Sequence, residues 1–323
     1  MGLGVIDPAL EVRLGAGMAQ VEDLLRDSVR SDYPFVTEAS RHLVDAGGKR
    51  FRPLLVLLAA QFGDPDAPGV VPAAVVVELT HLATLYHDDV MDEADLRRGA
   101  ASANARWDNS VAILTGDFLF AKASDILADL GPEAVRIQAR TFERLCTGQI
   151  RETIGPDGDD AVAHHLRVLA DKTGSLIATS GRFGAMMSGA TPEVIETMTA
   201  FGEQIGVAFQ LADDIVDIVS DSDASGKVPG TDLREGVPTL TALIALATDD
   251  DPRLRDLLTR PLDDDVDHAE ALKRLRDHPA LDAARIEARD WADRARETLV
   301  VLPEGGARDA LTTLCDYVVT RTG

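Results

Sequence analysis

The sequence predicts an all-α protein, and three observations carry that expectation. Apolar residues recur three and four apart, as in Phe201, Ile205, Ala208, Phe209, Ala212, Ile215, Val216 and Val219, which is the spacing of one helix face. The stretch PAAVVVELTHLATLYHDDVMD, residues 72–92, is apolar almost all round, as a buried central helix is, and is too long for a strand. Finally, 45% of the 323 residues are hydrophobic and only 4% aromatic, so the core is expected to be built from Ala, Val, Leu and Ile.

No Ser/Gly-rich or Pro-rich linker divides the chain. One domain over 1–323, a bundle of antiparallel helices, is therefore expected, with residues 1 to about 20 as a flexible N-terminal extension. Loops are expected at 63–69, 155–160, 220–232, 249–267 and 302–308, where Gly, Pro, Asp and Ser gather. The segment KTGSLIATSGRFGAMMSGA is rich in small residues, which at helical spacing let helices approach closely, so Gly181, Gly184 and Gly189 read as packing positions.

A formal net charge of -23 excludes a nucleic-acid surface, which needs a basic face. An anionic substrate would need metal ions or local groups of Lys and Arg to overcome the protein's own field. Cys146 and Cys315 stand far apart, with neither a disulfide framework nor metal-ligand spacing, and read as ordinary partly buried thiols. The start MGLGVIDPALEVRLG lacks the basic and apolar blocks of a targeting segment, and no apolar run approaches the roughly 18 residues of a membrane span. A cytoplasmic protein is expected, with peripheral contact to a membrane surface left open.

The chemistry concentrates in two acidic motifs. Asp88 with Asp92, and Asp213 with Asp217, lie four apart and so share a helix face, where unpaired carboxylates repel. A divalent cation turns that repulsion into coordination, and oxygen ligands point to Mg2+. A third match, Asp263 to Asp267, follows Pro261 in a weakly apolar stretch without adjacent cations and reads as a solvated surface run. The first two differ from it. Each ends an apolar helix holding internal polar residues (His81, Thr84 and His87; Gln204 and Gln210), and each precedes cations (Arg97 and Arg98; Lys227). Further cations open helices in GGKRFRP, residues 47–53, and in Lys172-Thr173-Gly174, where backbone amides and basic side chains suit phosphate oxygens.

In that order, GGKRFRP, LTHLATLYHDDVMDEADLRRG, GDFLFAKA, KTGSL, FQLADDIVDIVSD and GKVPGTD, the chain resembles the long-chain trans-polyprenyl diphosphate synthases from about residue 40 to 240. The resemblance implies the all-helical isoprenoid synthase fold around a deep central cavity, a homodimer, and head-to-tail condensation of isopentenyl diphosphate with an allylic diphosphate. It implies that Asp88, Asp92 and Asp213 bind Mg2+, with Asp89, Asp214 and Asp217 acting through water or hydrogen bonds. Arg97, Lys172, Thr173, Gln210 and Lys227 would hold the allylic diphosphate, and Lys49, Arg52, His81 and Arg98 isopentenyl diphosphate. Val237 stands where many relatives carry a further Lys.

Short-chain relatives stop elongation with a bulky aromatic four or five residues before the first aspartate. Here those positions are Thr84 and Ala83, both small. From Thr84 back to Ala73 runs roughly 16 Å of helix without an aromatic plug. A product in the heptaprenyl to decaprenyl range is expected, serving quinone side chains, unless Phe142 or Leu145 closes the cavity sooner and leaves a farnesyl or geranylgeranyl product. A class I terpene cyclase is a distant alternative, because its second motif uses Asn, Ser and Glu. A metal-dependent phosphohydrolase using His81, His87 and Asp88, or an inert partner subunit, are others.

Overall fold

The computed structural model describes residues 7–220 and 229–322. Helices follow one another as α1 (Pro8–Ser28), α2 (Pro34–Asp45), α3 (Phe51–Ala60), α4 (Val70–Met91), α5 (Ala103–Arg106), α6 (Asn109–Leu130), α7 (Pro132–Ile154) and α8 (Ala161–Leu169). A π-helical turn, Ala170–Gly174, leads into α9 (Ser175–Met187), and then come α10 (Pro192–Val219), α11 (Thr231–Glu235), α12 (Leu240–Thr248), α13 (Pro252–Leu258), α14 (Asp265–Asp277), α15 (Pro279–Thr298) and α16 (Gly306–Thr320). Extended structure among the described residues is one small ribbon, so the all-α expectation holds. The chain folds into two compact units, Met1–Phe142 with Leu176–Gly202 and Val301–Leu311, and Glu143–Ser175 with Glu203–Val300 and Thr312–Gly323.

The first unit corrects the expected N-terminal extension. Asp7 accepts the amides of Ala9 (2.9 Å) and Leu10 (3.4 Å), and Pro8 occupies the first helical position, so α1 starts with a well-formed cap. Leu10, Leu14, Val21 and Leu25 are then buried on one face. Charged and small residues dilute that stripe in sequence, but four anchors at helical spacing suffice to dock it.

The helix α4 is the buried axis of this unit: Ala73 to Thr80, Leu82, Ala83, Tyr86 and Asp89 have almost no exposed surface. The Tyr86 hydroxyl donates to the Ala39 carbonyl (2.6 Å) and accepts the Leu43 amide (3.2 Å), tying α4 to α2. Contrary to expectation, α4 is long and apolar enough to cross a membrane by length and composition, with a mean hydropathy of 1.3. Of its most apolar stretch 67% is buried within the protein, the environment of a core helix.

Two of the three small-residue positions pack as expected. A Cβ on Gly184 would lie 2.1 Å from the Val56 carbonyl oxygen, and one on Gly181 would lie 2.4 Å from that of Met198. Gly189 is different: no heavy atom lies within 4 Å of a Cβ placed there, and its φ of 71° ends α9 in the left-handed region that glycine adopts without strain.

In the second unit, Leu169, Val207, Leu211, Ile215, Leu240, Leu281, Ala284 and Ala288 form one core cluster. A second gathers Ile218, Leu233, Leu254, Leu257, Leu262, Leu272 and Leu275. The expected loop over 249–267 contains α13, whose Leu254 and Leu257 are buried. The Asp263–Asp267 run is likewise more than a solvated stretch. Asp264 caps α14 by accepting the amides of Val266 (2.9 Å) and Asp267 (3.0 Å), Asp265 pairs with Arg234, and Asp267 pairs with Arg253 and Arg260. Arg234 and Arg253 come from elsewhere in the chain, while Arg260 stands three residues before Asp263. Cys146 is exposed and Cys315 buried, in place of two partly buried thiols, and neither forms a disulfide.

The Gly184 contact makes a prediction. Gly184→Ala should lower unfolding stability by about 1–3 kcal/mol through overpacking against α3, read as a drop in denaturant midpoint, while Gly15→Ala, in open space, should not.

Candidate active site

In the first unit the motif Asp88-Asp89-Val90-Met91-Asp92 forms the last turn of α4 and its stop. Asp92 is the C-cap, Glu93 has a φ of 49°, and the amides of Glu93 and Ala94 reach back to the carbonyls of Val90 (3.4 Å) and Asp89 (2.9 Å). This is a Schellman stop with Glu where Gly is usual, a strained residue beside the motif. The three carboxylates differ in environment. Asp89 is fully buried and accepts Arg97 Nε at 2.5 Å, while its Oδ2 has no hydrogen-bond partner. Burial pushes its pKa up and Arg97 pulls it back. Asp88 is half-buried and Asp92 exposed, one helical turn apart.

Arg97 and Arg98 are delivered by a ribbon that sequence reading missed. Strand β1 (Leu96–Arg97) pairs antiparallel with β2 (Ala100–Ala101), and Arg98 and Gly99 turn the chain at φ values of 54° and 79°. Positive φ at both central residues is the geometry of a tight hairpin, but Arg-Gly lacks the Asn or Asp that signals it. Arg98 donates to the carbonyls of Leu43 (3.0 Å) and Gly47, which holds the GGKRFRP loop. Each guanidinium keeps further N–H groups for a ligand.

The loop before α3 is built from left-handed residues, Gly47 (φ 81°) and Arg50 (φ 47°). Lys49 is exposed. Arg52 is half-buried, and its Nε is shielded from solvent without a hydrogen-bond partner. Burial lowers its pKa to about 10, with Glu78 opposing and Arg98 adding to the shift. His81 is held well below its ordinary 6.5 by burial first and then by Arg52, Arg98, Arg50 and Arg97, so it is a neutral imidazole at pH 7. Arg50 was not singled out in the sequence. It is the most heavily bonded of these cations, contacting Glu22, Glu78 and the carbonyls of Val44 and Gly47.

The second motif lies in the second unit, on the last turns of α10. Asp213 pairs with Arg321 of the C-terminal segment, whose guanidinium also lies 4.9 Å from the centre of the Phe209 ring. Asp214 accepts Gln210 Nε2 at 3.0 Å, and Gln210 in turn receives the Thr173 hydroxyl at 3.4 Å. The Asp217 carboxylate accepts the amide of Asp232 at 3.3 Å, and its backbone carbonyl accepts that of Gly230 at 2.9 Å, so Asp217 caps α11. Lys172 pairs with Glu152 at 2.5 Å. Lys227 lies outside the described residues.

One expectation for this half is corrected. Lys172, Thr173 and Gly174 do not begin a helix; they form a π-helical turn that continues α8 into α9, so no helix start with open amides exists there. Gly148 on α7 makes room for this turn, since a Cβ there would lie 2.8 Å from the Lys172 amide nitrogen. A π turn re-aims side chains within a helix, and here it carries Lys172 and Thr173. Its only sequence signal was the Lys-Thr-Gly triplet itself.

The chain-length positions also differ from expectation. Ala83, Thr80, Val77, Val76 and Ala73 have no exposed surface, while Thr84 is half-buried and its hydroxyl bonds the His81 carbonyl at 2.8 Å. The expected tunnel wall is therefore packed along this face except at Thr84. Small side chains admit a close neighbour as readily as a cavity, and α6 approaches closely enough at Gly116 that a Cβ placed there would lie 3.1 Å from the Ala83 carbonyl oxygen. On the same side, Phe120 stacks at 4.3 Å on Phe142 and at 5.8 Å on His87.

Among the described residues, no group of three His, Cys, Asp or Glu side chains is arranged to hold a metal by itself. A bound ion would have to complete its shell with water or phosphate oxygens, the habit of Mg2+. The electrostatics suit one. Asp232, which sequence reading passed over in GKVPGTD, has its pKa pushed up to about 8 by burial and then by Asp214, Asp217, Glu235 and Glu152. A divalent cation would relieve that crowding.

The Asp232 shift makes a pH prediction. The folded state binds this proton more tightly than the unfolded chain, whose value is near 3.8, so stability falls as pH rises from about 4 to about 8. In chelator, Asp232→Asn should remove up to about 1.4 kcal/mol per pH unit of that slope, read from urea unfolding across the window.

The chain matches the polyprenyl synthetase family model over residues 33–275. It is 51% identical over 326 residues to a nonaprenyl diphosphate synthase of Mycobacterium tuberculosis, covering 100% of this chain and 97% of that one. Its fold superposes on a geranylgeranyl pyrophosphate synthase from Corynebacterium glutamicum complexed with calcium and isoprenyl diphosphate, with a TM-score of 0.89, 47% identity and 99% coverage of both chains. A decaprenyl diphosphate synthase from Rhodobacter capsulatus gives a TM-score of 0.88 at 34% identity, covering 98% of this chain and 99% of that one. The isoprenoid synthase fold and the ordered motifs agree with these matches, and the chain belongs to the polyprenyl synthetase family of prenyltransferases.

Proposed function

We propose that the chain uses Mg2+ to condense isopentenyl diphosphate with an allylic diphosphate into an all-trans polyprenyl diphosphate of heptaprenyl to decaprenyl length. The observation that carries the substrate assignment is the group beside the first aspartate motif. Arg52, with a shielded and unpartnered Nε, and neutral His81 stand with Arg50, Arg97 and Arg98 in a protein of net charge -23. Such a concentration of guanidinium charge needs an anion, and a diphosphate fits its chemistry. The family model spans segments of both compact units, which supports reading 1–323 as one synthase domain.

In this reading Asp88, Asp92 and Asp213 would hold the metal ions, which would supply positive charge to offset that of the allylic diphosphate. Arg97, Lys172, Thr173, Gln210 and Lys227 hold that diphosphate. Lys49, Arg52, His81 and Arg98 hold isopentenyl diphosphate, with His81 donating a neutral hydrogen bond. The double bond of isopentenyl diphosphate attacks the allylic cation, and the proton is lost to the released diphosphate. The apolar wall from α4 keeps water from the cation. Val237, in place of a further Lys, leaves one cation fewer for the allylic diphosphate.

The nonaprenyl and decaprenyl relatives and the small, half-buried Thr84 support a long product. The geranylgeranyl neighbour supports the shorter reading. A homodimer, a cytoplasmic location and membrane contact during product release complete the proposal.

Purified chain given farnesyl diphosphate, isopentenyl diphosphate and Mg2+ should yield prenyl diphosphates of 35 to 50 carbons, about seven to ten isoprene units, by chromatography of the extracted alcohols. A farnesyl or geranylgeranyl endpoint would sink the long-chain reading, and activity only with an added second protein would support the inert-partner reading. Thr84→Phe, at the exposed edge of the α4 face, should shorten the product in the same assay. Ala83→Phe tests the same face but also overpacks a buried site, so its stability should be measured alongside.

A further inference from the structure

Three arginines, Arg50, Arg52 and Arg98, and the two carboxylates Glu22 and Glu78 meet in the first unit behind the GGKRFRP loop. Glu78 is 2% exposed on α4, three residues before His81. A carboxylate so deeply buried requires a partner, and it has one. Arg50 Nη1 donates to Glu78 Oε1 at 2.8 Å, while Arg50 Nε donates to Glu22 Oε1 at 2.6 Å. Arg50 Nη2 donates to the Val44 carbonyl at 2.8 Å and Nη1 to that of Gly47 at 3.4 Å, so the guanidinium is committed on every side. The backbone supports this placement with a left-handed Arg50, φ 47°, which turns the side chain inward while Lys49 stays at the surface.

Arg52 presents the opposite case. Its Nε is sheltered from water and makes no hydrogen bond, although Glu78 is near enough to be the leading charge that stabilises its protonated form. Of the two arginines, Arg50 is the one that Glu78 has engaged.

We propose that Arg50 is a positioning residue for isopentenyl diphosphate: by occupying Glu78 and Glu22 it keeps Glu78 off Arg52, leaving Arg52 free for phosphate oxygens. This inference rests on the assignment of Arg52 to that substrate. Without Arg50, Glu78 would be a buried carboxylate left with Arg52 and Arg98 as its neighbouring cations. An ion pair formed within the protein would then compete with the incoming diphosphate at high effective concentration.

Steady-state kinetics on the full chain tests it, with the KM of each substrate determined separately and folding checked by thermal unfolding. Arg50→Gln should raise the KM for isopentenyl diphosphate about tenfold and leave that for the allylic diphosphate within about twofold. Arg50→Gln/Glu78→Gln should restore most of the loss, because the competing carboxylate is gone. Glu78→Gln alone, which keeps the Arg50 contacts to Glu22 and the loop carbonyls, should leave that KM equal or lower. Equal loss in Arg50→Gln and in the double variant would overturn the proposal, as would a KM raised by Glu78→Gln. Should Arg50→Gln not fold, the Glu78→Gln result decides. Arg52→Gln separates the two levels: an unchanged KM for isopentenyl diphosphate there would overturn the substrate assignment itself, whereas a raised KM sustains it and leaves Arg50 to be judged by its own variants.

Discussion

Carboxylates crowded at the ends of buried helices repel one another and lose hydration, and much of the surrounding structure compensates for that. Each aspartate motif places two acidic side chains one turn apart on a largely apolar helix. The compensation differs from residue to residue. Asp89 receives a guanidinium from the Arg97 hairpin, Asp213 receives one from Arg321, and Asp217 receives the amides that open α11. Asp88, half-buried, and Asp92, exposed, lie on the motif's more exposed side. The motifs are therefore uniform in residue type and divided in role.

The cations obey the converse rule. In a strongly acidic chain they gather where an anion is to be bound, and they must be kept from being neutralised by the protein's own carboxylates. The first unit does this with backbone geometry. Left-handed turns at Arg50 and Arg98 decide which guanidinium turns inward to a carboxylate or a carbonyl. In the second unit, a π turn carries Lys172 to Glu152 and Thr173 to Gln210.

Much of this was legible in the sequence. The α4 helix, the two motifs, the cation groups and the family could be read from residue order, because helical periodicity and motif spacing are local properties. Harder to read were Arg50, Asp232, Arg321 and the Gly148 contact. Each owes its role to a partner distant in sequence: Glu22 and Glu78 for Arg50, Asp214 and Glu152 for Asp232, Asp213 for Arg321, and the Lys172 amide for Gly148. The Arg98-Gly99 hairpin was missed for another reason, since tertiary contacts to Leu43 and Gly47 accompany a turn that local preference does not announce.

The sequence by itself determined that the chain is helical, that it carries two aspartate motifs with attendant cations, and to which family it belongs, because each of those follows from the type and spacing of neighbouring residues. Only the tertiary structure decided which carboxylates are already paired, that the Arg52 Nε is shielded without a hydrogen-bond partner, and that the small residues below Asp88 are packed along their helix face. Pairing and burial depend on which distant segments meet, and no local pattern encodes that Glu78 engages Arg50 in place of Arg52.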